Sequence, residues 1–148
     1  MSLQDSVMTA LKTAMKSKDT VALTSLRSIK SAILLARTSG ADVAMTEEDE
    51  FKILQKLVKQ RRDSASIFTE QNRLDLAEPE LAEVEVISQF LPQMLEASEV
   101  EKVVVETINS LGASGMKDMG RVMGVVSKTL AGKTDGKTIS TLVKAKLS

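Results

Sequence analysis

Apolar positions recur at spacings of three and four along almost the whole chain, the period of an amphipathic helix. Leu3, Val7, Leu11 and Ala14 form a first stripe, with Ser2 and Asp5 placed as a capping pair. Asp19 caps a second helix carrying Ala22, Leu26, Ile29, Ile33 and Ala36, and Gly40 stops it. Thr46 opens a third helix with Glu47, Glu48, Asp49 and Glu50 in its first turn, where negative charge faces unpaired backbone N–H groups. This helix is predicted to reach about Gln71, and NRLDL (72–76) reads as a connector. Pro79 suits the first turn of a fourth helix, which ends at FLP (90–92) because Leu91 precedes a proline. QMLEA (93–97) is the predicted hinge, and Ser98 with Glu101 forms a capping box for a fifth helix ending near Gly112. A sixth helix runs from about Gly115 to Leu130, and a last one, capped by Asp135, carries Ile139, Leu142, Val143 and Leu147. The pattern holds no strand alternation. It predicts an all-α chain, with an N-terminal bundle of about four helices over 1–93 and a three-helix C-terminal bundle over 94–148.

Two charges break the stripes of their own helices. Arg61 falls in the middle of the face defined by Leu54, Leu57, Val58, Ala65 and Phe68; Glu83 lies within that of Val84, Ile87, Phe90 and Leu91, with Glu80 nearby. A lone buried charge costs several kcal/mol, so opposite signs on consecutive helices predict a structural pair, Arg61 with Glu83. The other arrangement has Arg61 reaching solvent along its aliphatic stem and Glu83 pairing with Arg73.

Composition narrows the chemistry. The 148 residues carry 20 Lys and Arg against 20 Asp and Glu, and 43% are hydrophobic. The chain is long enough for a substantial core. Overall charge names no ligand. There is no His and no Cys, which removes disulfides, zinc sites of the usual kinds, thiol nucleophiles and imidazole bases. The missing disulfides suit a reducing compartment, and the expected location is cytoplasmic. No long apolar run spans a membrane, and the amphipathic, acid-bearing start MSLQDSVMTALK argues against a secretory signal. With Phe51, Phe68 and Phe90 as the only aromatic residues, stacking platforms for bases are not expected. Neither a catalytic group, a metal nor a cofactor is expected.

Charge that cancels globally is segregated locally. Residues 70–106 hold ten acids against two bases, and residues 112–148 hold seven bases against two acids. Residues 51–62 add five cations and no acid. Two readings stand: solvated faces within one protein, or a basic surface for phosphates. On a helical projection of about 100° per residue, Lys117, Arg121, Gly124 and Lys128 fall within about 60°, opposite Met119, Val122, Met123, Val126 and Leu130. A glycine between cations lets a polyanion approach the backbone. Gly120, nearer the boundary of the apolar face, is assigned to close helix packing. Lys133 and Lys137 complete the candidate basic surface.

Two motifs are set aside. SKTLAGKT (127–134) ends like a phosphate-binding loop, but Ser127 stands where a glycine is required and no strand precedes it. The acids of 78–85 lack a second cluster to complete a metal or acid–base site.

LRSIKSAI (26–33), KQRRDS (59–64), NRLDL (72–76), FLP (90–92), KDMGRVMG (117–124) and GKTDG (132–136), in this order and spacing, resemble the GatB/YqeY family across essentially the whole chain. The most specific stretches are KDMGRVMG and the terminal DGKTISTLVKAKL. The chain is similar to free-standing YqeY-type proteins and to the tail of the B subunit of the glutamine-dependent aminoacyl-tRNA amidotransferase. In that enzyme the tail contacts the body of the tRNA, while the cradle domain and a separate amidase subunit carry the chemistry.

The resemblance therefore implies a non-catalytic module binding tRNA, other structured RNA or a tRNA-handling complex. The expected surface is Lys117, Arg121, Gly124, Lys128, Lys133 and Lys137, with neither DNA nor membrane as ligand. Two alternatives remain beside it. One is an accessory to a carbon–nitrogen ligase with glutamine as amido-N-donor, inherited from the family and lacking its catalytic parts here. The other is a protein-interaction adaptor whose acidic middle meets a basic protein.

Overall fold

The computed structural model describes residues 2–39 and 45–148. Among them seven α-helices form and no strand: α1 (Leu3–Ser17), α2 (Thr20–Thr38), α3 (Glu47–Glu70), α4 (Leu74–Ser88), α5 (Ala97–Leu111), α6 (Met119–Thr129) and α7 (Gly136–Leu147). A 3₁₀ turn, Met116–Asp118, precedes α6. The chain divides into two compact units, Met1–Leu91 and Pro92–Ser148.

Local chemistry sets most helix starts. Ser2 and Asp5 form a full capping box on α1, as do Thr46 and Asp49 on α3. Hydrogen bonds to the charged carboxylate hold both acids below the usual carboxylate range. For Asp5 the Ser2 hydroxyl matters most; for Asp49 it is the Thr46 backbone N–H. Asp19 and Asp135 cap α2 and α7 with single bonds to Ala22 and Thr138. The expected stop at Gly40 lies outside the described residues; α2 ends at Thr38.

Three boundaries differ from the sequence expectation. The connector after α3 is only Gln71, Asn72 and Arg73, because Asn72 adopts a left-handed conformation (φ 59°) and turns the chain at once. Arg73 then chelates Asp75 through Nε and Nη2 at 3.1 and 3.0 Å, which holds that carboxyl below its usual range. Leu74, Asp75 and Leu76 thus already belong to α4, and Pro79 sits in its second turn. There its missing N–H deprives only the exposed Asp75 carbonyl of a helical donor. The end of α4 tightens through short i→i+3 bonds from Gln89, Phe90 and Leu91 ahead of Pro92. Finally, α5 starts at Ala97 with Glu96 at the cap, so Ser98 and Glu101 do not form a box. The Leu95 N–H donates to the Lys133 carbonyl at 2.9 Å, and Leu95 packs on the second core. That anchor fixes the entry into α5 and removes the second half of QMLEA from the expected hinge.

Each unit has its own core. In the first, Val7, Leu11 and Ala14 of α1 meet Leu26, Ile29 and Ile33 of α2, Leu54 and Val58 of α3, and Val84 and Ile87 of α4. In the second, Val100 and Val104 of α5, Val122 and Val126 of α6, and Ile139, Val143 and Leu147 of α7 close around Leu130. Buried hydroxyls are bonded internally: Ser25 donates to the Val21 carbonyl and Thr107 to that of Val103, both at 2.8 Å.

Candidate nucleic-acid interface

The basic candidates all lie in the second unit, and all are exposed: Lys117, Arg121, Gly124, Lys128, Lys133 and Lys137. Apolar burial orients them. Val122 and Val126 point α6 into the core, which turns Arg121, Gly124 and Lys128 outward. Lys117 belongs to the 3₁₀ turn rather than to α6, so it does not continue the same helical row. The Gly112 cap (φ 63°) ends α5, and the extended Gly115 precedes the turn that carries Lys117.

Two cations of the unit are engaged with acids. Arg121 Nη2 lies 3.2 Å from Asp118 Oδ1, while the other oxygen of Asp118 accepts the Ser114 N–H at 3.1 Å. Lys146 Nζ lies 2.7 Å from Glu101 Oε1, linking the end of α7 to α5. Among the described residues Lys117, Lys128, Lys133 and Lys137 have no ion-pair acid.

The glycines of KDMGRVMG are not packing devices. A methyl added at Gly120 or Gly124 would meet nothing within 4 Å. The assignment of Gly120 to close helix packing is therefore corrected: the apolar contacts of α6 are carried by Val122 and Val126 with Met119 and Met123. The GKT of the rejected loop motif is a turn in which Gly132 takes φ 76° and Thr134 is buried, without the strand and cradle of a nucleotide loop.

In the first unit the structure brings Arg61 and Glu83 together. Arg61 lies nine residues before the end of α3 and Glu83 nine after the start of α4, so the equal rise of two antiparallel helices sets them level. Nε donates to Glu83 Oε1 at 3.3 Å, with the side chains 14% and 17% exposed. Nη1 donates to the Leu57 carbonyl at 3.1 Å and Nη2 to the Ser28 hydroxyl at 2.9 Å. Arg73 is occupied by Asp75 instead.

Sequence reasoning missed what lies beside this guanidinium: an open groove of about 550 Å³ lined by Thr24, Arg27, Ser28 and Ser31 of α2 and Leu57, Gln60 and Arg61 of α3. The available signal was a hydroxyl at every fourth residue, Thr20, Thr24 and Ser28, next to Arg27. Elsewhere, burial raises the Glu50 carboxyl, with Arg37 opposing the shift. Among the described residues no three carboxylates gather as they would around a metal ion, and no helix is long and apolar enough to cross a membrane.

Fold and surface together define an all-helical protein whose excess of cations lies in residues 112–148 of the second unit. The chain belongs to the family described as Yqey-like protein, whose model matches residues 4–147. It is similar to three fungal proteins that share the name "Altered inheritance of mitochondria protein 41, mitochondrial". That of Clavispora lusitaniae is 35% identical over 130 residues, covering 86% of this chain and 74% of the relative. That of Pyrenophora tritici-repentis is 30% identical over 126 residues, 83% of this chain and 68% of the relative. That of Meyerozyma guilliermondii is 39% identical over 94 residues, 62% of this chain and 47% of the relative, so the match spans about half its length. These names correct the cytoplasmic expectation, since the relatives are mitochondrial proteins. The expectation leaned on the lack of cysteine, which rules out disulfides but does not choose among compartments.

Proposed function

We propose that this Yqey-like protein is a non-catalytic module that binds tRNA, or an RNA folded like it, through the basic surface of its second unit. The observation that carries the reading is the open face of α6. Gly124 lies between Arg121 and Lys128 with free space above it, and among the described residues the exposed Lys117, Lys133 and Lys137 of the same unit have no ion-pair acid. Lysines without acids release counterions when they meet phosphates, the main source of affinity for a folded nucleic acid. The lack of Trp and Tyr suits recognition by shape and charge rather than by base stacking. The relatives' names make mitochondrial tRNA a natural first RNA to try.

The test is a titration of tRNA at several salt concentrations, with wild type and the triple variant Lys117→Ala, Arg121→Ala, Lys128→Ala. Loss of up to three phosphate contacts should flatten the slope of log affinity against log salt by up to about 2. An unchanged affinity and slope in the variant would overturn the reading.

A further inference from the structure

We propose that the groove between α2 and α3 is a binding site for a terminal phosphate, free or carried by a small molecule of about nucleotide size. It lies in the first unit and is independent of the RNA reading.

Its lining is rich in donors and contains no carboxylate. Arg61 has five N–H donors, of which Nε, one on Nη1 and one on Nη2 are engaged, so each terminal nitrogen retains one. Among the described residues Arg27 has no ion-pair acid, and the side chains of Ser31 and Gln60 make no hydrogen bond. Thr24 and Ser28 donate their hydroxyl protons to the Thr20 and Thr24 carbonyls, which fixes their rotamers along the wall. Glu83 offsets one positive charge but stands behind Arg61 rather than in the lining, and with Leu57 and Ser28 it holds the guanidinium in one orientation. A group fixed before binding loses little entropy when the ligand arrives. Such a pre-oriented arginine beside a second, exposed one suits an anion with several acceptor oxygens.

Access to Arg61 favours one kind of anion. The Arg61 side chain is 14% exposed, so a ligand must enter the groove to reach it. A terminal phosphate presents three free oxygens on a narrow tip. A phosphodiester within an RNA strand has two, flanked by sugars that hold it at the surface. The groove's 550 Å³ falls in the range of small-molecule sites.

The experiment follows backbone amide shifts of the full chain during titration with inorganic phosphate, adenosine 5′-monophosphate and adenosine. Saturable shifts confined to residues 24–31 and 57–61 are expected with either phosphate, and none with adenosine. Tighter binding of the monophosphate would mark the site as one for phosphomonoesters; equal binding would mark it as one for free phosphate. The exposed variant Arg27→Gln should weaken the apparent affinity about tenfold without changing Tm, as expected for one lost charge-assisted contact. The Lys117→Ala, Arg121→Ala, Lys128→Ala variant should bind phosphate like wild type, which separates this result from the fate of the RNA reading. Non-saturating shifts spread over all basic residues, or unchanged affinity in Arg27→Gln, would overturn the proposal. So would groove shifts produced by tRNA but by neither phosphate.

Discussion

Arg61 and Glu83 stand level across the α3–α4 hairpin, Nε to Oε1 at 3.3 Å, and the same guanidinium reaches Ser28 on α2. One side chain therefore ties three helices together. Arg61→Ala should cost about 2–4 kcal/mol, somewhat below the ~3–5 of a fully buried pair, because both groups keep some contact with water. Arg61→Met combined with Glu83→Leu should recover most of the loss, since the uncompensated charge is the costly part. Urea midpoints of the single and double variants measure both effects. A cost below about 0.5 kcal/mol for Arg61→Ala would show that the pair behaves as an exposed one.

Gly124 is the sixth residue of α6 and faces open space, so it carries the backbone entropy cost of a helical glycine with no packing benefit. Gly124→Ala should raise stability by about 0.5–1 kcal/mol, read as an increase in Tm. On the proposed function it should also weaken tRNA binding, because the methyl keeps a polyanion from the backbone. A stabilised variant with full RNA affinity would mean that the glycine serves neither purpose; a lower Tm would mean that the methyl meets an obstacle.

The capping carboxylates predict an acid limit. The folded pKa values of Asp5 and Asp49 are depressed, so their contribution is present above the unfolded pKa near 4 and is lost as pH falls through the folded values. Asp49→Asn should be less stable than wild type at pH 7, and the gap should close as pH falls below the usual carboxylate range. Glu50 runs the other way. Its pKa is raised by burial, so ionising it as pH rises through the folded value works against the fold. Glu50→Gln should accordingly gain on wild type as pH rises above the usual carboxylate range. Thermal unfolding followed across this pH series checks both signs.

What the chain disclosed in advance was local. Ser2 with Asp5, Asp19, Thr46 and Asp135 act within one turn of their own helices, and the valine spacing of α6 is enough to turn its cations outward. Ser98 and Glu101 looked like an equally good box. It failed because Leu95 is bonded to Lys133, nearly forty residues away, a contact absent from any local window. Asn72 was legible as a turn residue, but a single left-handed conformation does the work expected of all five residues of NRLDL. Arg61 and Glu83 stood out because each contradicts its own stripe. The groove did not, because its two walls each look like an ordinary polar helix face until α2 and α3 are set side by side.

The three-residue reversal at Gln71, Asn72 and Arg73 bears on the order in which the first unit assembles. Closing so short a loop costs little chain entropy, so α3 and α4 can zip together from their shared corner before α1 and α2 are gathered in. A zipper that starts at a fixed corner also fixes its own alignment. If α4 slid by one turn along α3, about 5.4 Å, Glu83 would stand level with Leu57 and Val58 or with Ser64 and Ala65, none of them a cation. A slipped hairpin would thus leave Glu83 half-buried without its cation, so the pair favours the native alignment.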